Sequence, residues 1–102
     1  MKTLPVRFRP EAEADLDEIA HYVVEQSGSI QTALGFLGRI RTRCLSIGDT
    51  PLGGVARDDL AAGIRMVPFE RSAVILYRIT DDAVEIVTIA YGGRDHEALH
   101  RQ

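Results

Sequence analysis

The sequence predicts a single α+β domain, in which an antiparallel sheet carries a hairpin of two helices packed on one face. Two stretches with apolar residues at helical spacing follow one another in the first half of the chain. Three stretches rich in β-branched residues follow near its end, separated by short polar turns. The predicted element order is therefore β-α-α-β-β-β, and all 102 residues are assigned to one domain, positions 1–102.

The first strand and the first helix are predicted from alternation and from two prolines. Residues 4–9 alternate between apolar and other side chains, and Pro5 near their start is typical of an edge strand. Pro10 begins the first helix, which ends at Ser27-Gly28. Three acidic residues lie in its first turns: Glu11, Glu13 and Asp15. Negative charge is favourable there, at the positive end of the helix dipole. We interpret these residues as part of a solvated face rather than as a row of catalytic carboxylates.

The second helix is predicted from about Ser29 to Ile47, because apolar residues recur there every three or four positions. Gly35 and Gly38 each destabilise a helix interior by about 1 kcal/mol, so we predict that they mark a close contact with the first helix. The only cysteine of the chain falls on the apolar stripe, which indicates a buried thiol rather than a nucleophile and excludes an intramolecular disulfide. Three further residues are predicted to widen this stripe: Leu34, Phe36 and Leu45.

The second half of the chain begins with an irregular segment and continues with three strands. The segment from Gly48 to Gly63 is long for a connection in a compact domain. Strands are predicted at residues 64–69, 73–79 and 84–91. The middle one is the most continuously apolar and is therefore expected to be central. Residues 70–72 and 80–82 are turns short enough for antiparallel hairpins.

Composition and charge exclude several classes of protein. A net charge of −3 and a pI near 5.5 argue against a nucleic-acid binder with a wholly basic surface. We find neither a signal peptide nor a run of about 18 apolar residues that could span a membrane, and expect a cytoplasmic protein. We expect no cofactor and no metal, because His96 and His100 have metal-ligand spacing but no third ligand accompanies them.

Taken together and in order, five segments resemble the RelE/ParE superfamily of bacterial type II toxins. The order of a strand, an αα-hairpin and a three-stranded meander is also similar to that superfamily. The matching segments extend over essentially the whole chain: Pro10 to Tyr22, the Thr50-Pro51-Leu52-Gly53 loop, Gly63-Ile64-Arg65, Val74 to Arg78, and Val84 to Val87 with Gly92-Gly93-Arg94-Asp95.

The resemblance implies one of two activities. RelE-like members are ribosome-dependent mRNA endonucleases, whereas ParE-like members bind DNA gyrase and stall it on cleaved DNA. In an endonuclease of this kind, cations stabilise charge on the scissile phosphate and an aromatic or imidazole group helps to move a proton. Carried over to this chain, the catalytic positions of the RelE-like branch would be Arg65, Arg94 and His100.

Two departures from the endonuclease pattern favour the ParE-like branch. Val74 stands where the endonucleases have an arginine, and Arg78 lies four residues further on, about 13 Å along an extended strand. Lys2 is the only lysine, which leaves few side chains to neutralise RNA phosphates. We therefore predict a gyrase-binding toxin without enzymatic activity. The alternatives are an mRNA endonuclease and a degenerate toxin that binds only its antitoxin.

The predicted target-binding residues lie on the last three strands and in the turn after them: Arg65, Arg78, Tyr91, Arg94 and Asp95. Each also has a purely structural interpretation. Arg65 could pair with Glu70 or Asp81, and Arg78 with Asp81 or Asp82. The ring of Tyr91 could cover the core, and the Arg94–Asp95 pair could fix the tail to the sheet.

The resemblance also implies a cognate antitoxin as the partner, together with roles in growth inhibition and plasmid stabilisation. Such an antitoxin would be ParD-like, with a DNA-binding N-terminal part and a C-terminal segment that folds on the toxin. The toxin alone is not expected to bind a specific DNA sequence. The predicted docking surfaces are the groove between the helical hairpin and the sheet, and the exposed sheet edge.

Overall fold

The computed structural model describes residues 3–92 and has two helices packed on a five-stranded mixed sheet. This confirms the α+β class with an αα-hairpin. The elements in chain order are β1 (Val6–Phe8), α1 (Pro10–Ser27), α2 (Ile30–Ile47), β2 (Val55–Ala56), β3 (Arg65–Phe69), β4 (Ala73–Ile79) and β5 (Val84–Tyr91). A short 3-10 helix, Pro51–Gly53, precedes β2.

The strand order is β1-β5-β4-β3-β2, so β4 is central and β1 is an edge strand, as predicted. The prediction of an entirely antiparallel sheet is wrong in one pair, because β1 runs parallel to β5, with Val6 opposite Val84. Strand alternation indicates which face is buried but not which neighbour a strand has or in which direction it runs. The two-residue strand β2 was also not predicted, and it pairs with the start of β3.

The ends of both helices are where the sequence predicts them. Pro10 lies in the first turn of α1, where its missing N–H group leaves no hydrogen bond unmade. The helix ends at Gly28, which adopts a left-handed conformation (φ 69°) and donates its N–H to the Val24 carbonyl at 2.7 Å. Ser29 then caps α2, since its hydroxyl accepts a hydrogen bond from the Thr32 amide at 3.1 Å.

The core lies between the hairpin and one face of the sheet. Both helical stripes and the inward side chains of β3, β4 and β5 form one cluster of buried residues. Burying one large aliphatic side chain stabilises a fold by about 1.5–3 kcal/mol. Cys44 is fully buried in this cluster, and burial raises the pKa of its thiol to about 12. The interpretation of Cys44 as an inert structural thiol is therefore confirmed.

Asp15 closes the part of the β5 edge that β1 does not cover. The pairing between β1 and β5 stops at Ile86. Beyond it, one Asp15 carboxylate oxygen accepts hydrogen bonds from the Ile89 amide at 2.8 Å and from the Thr88 hydroxyl at 2.6 Å. The interpretation of Asp15 as part of a solvated face is therefore wrong, because α1 brings its side chain against an open strand edge.

Tyr77 anchors the loop that leads into β2. Its side chain is fully buried, and its hydroxyl donates to the Pro51 carbonyl at 2.7 Å and accepts from the Gly54 amide at 2.9 Å. A Cβ at Gly54 would lie 2.6 Å from that hydroxyl and 2.8 Å from the tyrosine ring. Only glycine therefore lets the loop approach the sheet this closely.

The turn between β3 and β4 has an unusual backbone. Glu70 and Arg71 have φ angles of 50° and 62°, in the left-handed region that residues with a Cβ rarely adopt. The turn closes with a hydrogen bond from the Ser72 amide to the Phe69 carbonyl at 3.1 Å. Arg39 of α2 binds the Glu70 carboxylate through two hydrogen bonds, of 2.7 and 3.1 Å, and so holds the turn beside the helix.

Tyr77→Phe removes the hydroxyl and leaves the Gly54 amide and the Pro51 carbonyl without their buried partner. We expect the free energy of unfolding to fall by about 1–3 kcal/mol, measured by chemical denaturation. Gly54→Ala should also destabilise the protein, because its Cβ collides with the tyrosine. Gly53→Ala is the matched control and should have a smaller effect. An unchanged denaturation midpoint for Tyr77→Phe would contradict the anchoring role.

The hydrogen bonds and the charge of Arg39 hold the pKa of Glu70 below its ordinary value of 4.5. Ionised Glu70 therefore stabilises the folded state fully when the pH is above the ordinary pKa of the carboxyl group. This contribution is lost as the pH falls through the lowered pKa of the folded state. An NMR titration of the Glu70 carboxyl should have its midpoint below 4.5. In Arg39→Gln the midpoint should rise towards the ordinary value, whereas equal midpoints would exclude the ion pair in solution.

Candidate functional site

Arg65 begins β3, and its guanidinium is bound to the loop that Tyr77 anchors. Its Nη2 donates to the Leu52 carbonyl at 3.0 Å and to the Gly54 carbonyl at 2.7 Å. Its Nε is buried and has no hydrogen-bond partner among the described residues. The predicted pairing of Arg65 with an acidic side chain is therefore wrong, since its Nη2 binds two backbone carbonyls and Glu70 binds Arg39.

Arg65 and Arg78 lie on opposite faces of the sheet. Arg65 stands directly across from Tyr77 in the β3–β4 register, so both side chains are on the face covered by the helices. Arg78 follows Tyr77 in β4, and successive side chains of a strand point to opposite faces. In this fold the two arginines therefore cannot contact the same phosphate group.

Arg78 forms a cross-strand ion pair on the face away from the helices. Its Nε donates to Glu85 at 2.8 Å, and Glu85 is its register partner on β5. The predicted pairing of Arg78 with Asp81 or Asp82 is wrong. Asp82 is bound instead by Arg7 of β1, at 3.3 Å, across the sheet edge.

Tyr91 ends β5 within an aromatic cluster beside the helices. Its ring lies edge-on to Tyr22 and Phe36, with ring centroids 5.4 and 5.2 Å away. Phe36 is in turn edge-on to Phe69 at 5.6 Å. Such edge-to-face contacts stabilise aromatic pairs beyond the area that they bury. The interpretation that the ring of Tyr91 covers the core agrees with these contacts.

Of the predicted target-binding residues, three lie in the described range, and the fold places Arg65, Arg78 and Tyr91 apart from one another. Tyr91 is opposite Ala73 and Arg65 is opposite Tyr77, which places them about 13 Å apart along the central strand. Arg78 is on the other face. Three further predicted site residues lie outside the described residues: Arg94, Asp95 and His100.

An open groove of about 640 Å³ lies between α2 and the β3–β4 turn. The sequence predicts a groove between the hairpin and the sheet, but not the residues that line it. One wall is the outer face of α2, including Leu34, Gly38 and Arg43, and the other includes Phe69 and Glu70. Leu34 is 61% exposed, so it does not widen the core stripe as predicted. Leu45, with 56% exposure, is also outside the core.

The two glycines of α2 face this groove and not α1. A Cβ at Gly38 would meet nothing within 4 Å, and one at Gly35 would touch only the Arg39 side chain, at 3.6 Å. The predicted contact of these glycines with the first helix is therefore wrong. The sequence contained the information needed to avoid this error. At 100° per residue, both glycines lie on the opposite side of α2 from the apolar stripe that contains Ile40 and Cys44.

Metal binding and membrane insertion receive no support from residues 3–92. Nowhere in that range do three histidine, cysteine or acidic side chains come together as metal ligands. None of its helices is long and apolar enough to cross a membrane.

Two of the solved structures that share this fold come from toxin–antitoxin systems. A toxin–antitoxin structure described as the chromosomal ParDE system of P. aeruginosa superposes with a TM-score of 0.77 and 22% sequence identity, over 88% of this chain and 97% of that one. The toxin–antitoxin complex RelBE2 of Mycobacterium tuberculosis gives a TM-score of 0.61 and 20% identity, over 87% of this chain and 98% of that one. At these identities the similarity concerns the fold.

Sequence comparison gives the family directly. No curated protein matches the chain. The sequence profile described as "ParE toxin of type II toxin-antitoxin system, parDE" matches residues 6–96, which is most of the chain. The resemblance to the RelE/ParE superfamily is thereby confirmed, and the chain belongs to the ParE family of type II toxins.

Proposed function

We propose that this ParE-family toxin acts by binding DNA gyrase in the cytoplasm, and that it does not cleave RNA. The observation that carries the proposal is the separation of Arg65 and Arg78 on opposite faces of the sheet, each already bound to other groups. A site that cleaves a phosphodiester must direct several cations at one developing charge. Arg65 and Arg78 do not have that arrangement, which supports binding over catalysis.

The position of Val74 supports the same conclusion. Val74 lies in the middle of the sheet, opposite Pro68 on β3 and Ala90 on β5. The resemblance places a catalytic arginine of the endonuclease branch here, and valine supplies neither charge nor a hydrogen-bond donor. Arg78 cannot substitute, because it is four residues further along β4 and is paired with Glu85.

A ParD-like antitoxin is the proposed partner. Both similar structures come from toxin–antitoxin systems, and the matching family is defined by the parDE pair. An antitoxin segment that folds on binding could follow the surface of so small a toxin. The ParDE and RelBE folds are shared, so the choice of target rests on side chains and not on the fold.

Two assays on the purified chain distinguish the target classes. We expect the protein to inhibit plasmid supercoiling by gyrase and to leave mRNA intact in a reconstituted translation reaction. The physical reason is that the sheet places Arg65 and Arg78 on opposite faces, where they cannot stabilise the same phosphate. Adding the antitoxin should restore supercoiling. Cleavage of ribosome-bound mRNA together with normal supercoiling would establish the endonuclease alternative instead.

Arg78→Ala tests whether the sheet face away from the helices contacts gyrase. We expect at least a fivefold higher toxin concentration for half-inhibition of supercoiling, because arginines are frequent anchors of protein interfaces. The matched control is Arg41→Ala, which removes another exposed arginine bound to a glutamate, Glu13, on the helical side. Both variants should unfold close to the wild-type temperature. Equal inhibition by the two variants would remove Arg78 from the contact.

A further inference from the structure

α2 carries a second apolar stripe, separate from the one that packs on the sheet. Three of the large hydrophobic side chains that are exposed in residues 3–92 belong to this helix: Ile30, at 67%, Leu34, at 61%, and Leu45, at 56%. At 100° per residue, their directions fall within about 60° of one another around the helix axis. They form one line along α2, so this helix has an apolar side that the core does not use.

A small apolar depression lies beside this stripe, between the two helices and away from the sheet. Its volume is about 130 Å³, and its lining comes from both helices: Ala20, His21, Val24, Ile30, Ala33 and Leu34. An apolar cavity of about 150 Å³ accepts a molecule of the size of benzene, so the depression has room for one aliphatic side chain. The outer face of the hairpin therefore carries both exposed aliphatic side chains and a recess that fits one.

The charges of the hairpin are divided between its helices. α1 contains six carboxylates and neither lysine nor arginine, whereas α2 contains three arginines and no carboxylate. Two of those arginines bind carboxylates of the same chain. The third, Arg43, donates to the neutral Ser46 hydroxyl at 2.7 Å. A second copy of this chain has the matching charges, because its α1 supplies carboxylates to α2 and its α2 supplies arginine to α1.

A two-fold axis that runs along the hairpin, between its helices, brings these features together. Rotation by 180° about such an axis places α1 of one copy opposite α2 of the other, at the same height. The two apolar stripes then meet near the axis, beside the two depressions. Counted from the turn at Gly28, Arg43 is level with the stretch of α1 between Glu11 and Glu18. The surface is therefore complementary to itself in both shape and charge.

The outer face of the hairpin is also large enough for a stable contact. Each helix has 18 residues, which gives a length of about 27 Å. Two packed helices with their side chains are about 20 Å wide. Covering this face on two copies removes about 1,100 Å² from water, and a specific interface needs about 1,000 Å² in total.

We propose that the outer face of the hairpin binds a second copy of this chain in a two-fold symmetric dimer. Ile30, Leu34 and Leu45 form its apolar centre, and an aliphatic side chain of each copy fills the depression of the other. At the rim, Arg43 pairs with a carboxylate in the first half of the other copy's α1. Dimerisation is a property of the toxin chain alone, so it is independent of the proposed gyrase target.

Sedimentation equilibrium of the purified full chain, without antitoxin or gyrase, tests the dimer. We expect a monomer–dimer equilibrium with a dissociation constant below about 100 μM. Leu34→Asp places a charge in the apolar centre and should weaken association at least tenfold. Leu52→Asp is the matched control, because Leu52 has a similar exposure, 67%, and lies in the short 3-10 helix before β2. This control should stay within twofold of wild type.

Mixing two charge-reversed chains tests the two-fold arrangement. Arg43→Glu and Glu18→Arg should each self-associate at least fivefold more weakly than wild type, because like charges then face each other at both ends of the contact. In an equimolar mixture, a dimer with one copy of each variant has opposite charges at both ends. The mixture should therefore associate within twofold of wild type. Association no stronger than that of either variant alone would exclude this arrangement.

Thermal unfolding at a concentration where the chains are monomeric separates loss of association from loss of structure. Since Leu34 is 61% exposed, Leu34→Asp should unfold close to the wild-type temperature. A dissociation constant of wild type above about 100 μM, or a dimer that Leu34→Asp leaves intact, would overturn the proposal. So would a monomeric wild type in which Leu34→Asp weakens binding of the protein encoded next to its gene, because the antitoxin would then occupy this face.

Discussion

Packing of the two helical stripes against one face of the sheet is the interaction on which the rest of the structure depends. Four side chains are fully buried there: Ile40 of α2, Ile75 and Tyr77 of β4, and Ile86 of β5. This packing brings α1 to the open edge of β5, where Asp15 accepts hydrogen bonds from the strand. It leaves the outer face of α2 uncovered, and the groove forms where that face meets the β3–β4 turn.

Three of the described arginines are engaged in holding strands, loops and turns together. Arg65 binds two loop carbonyls, Arg78 pairs across two strands, and Arg39 fixes the β3–β4 turn. Exposed ion pairs such as those of Arg39 and Arg78 add little stability individually, but each of these contacts joins two separate elements of the fold. Within residues 3–92, Arg65 of β3 and Arg78 of β4 therefore do not direct their charge at one point. This separation is the observation that supports the proposal of a binding toxin.

The local sequence was sufficient to predict the helices and most of the strands, but not how the strands pair in the sheet. The bounds of α1, α2, β4 and β5 followed from Pro10, from Ser29 and from apolar periodicity, because caps and patterns act within a few residues. The parallel pairing of β1 with β5 joins residues far apart in the chain, and no local pattern records it. For the candidate site, the sequence identified individual residues such as Arg65 and Arg78. Their placement on opposite faces required the strand register.

By itself, the sequence determined the α+β class, the family resemblance and a buried thiol at Cys44, since each depends on composition and spacing along the chain. The tertiary structure decided which side of α2 is free. Apolar spacing allowed Leu34 to be assigned to the core and Gly38 to a helix contact, and packing placed both in an open groove instead. A helix has several apolar faces in principle, and only the position of the sheet selects the one that is buried.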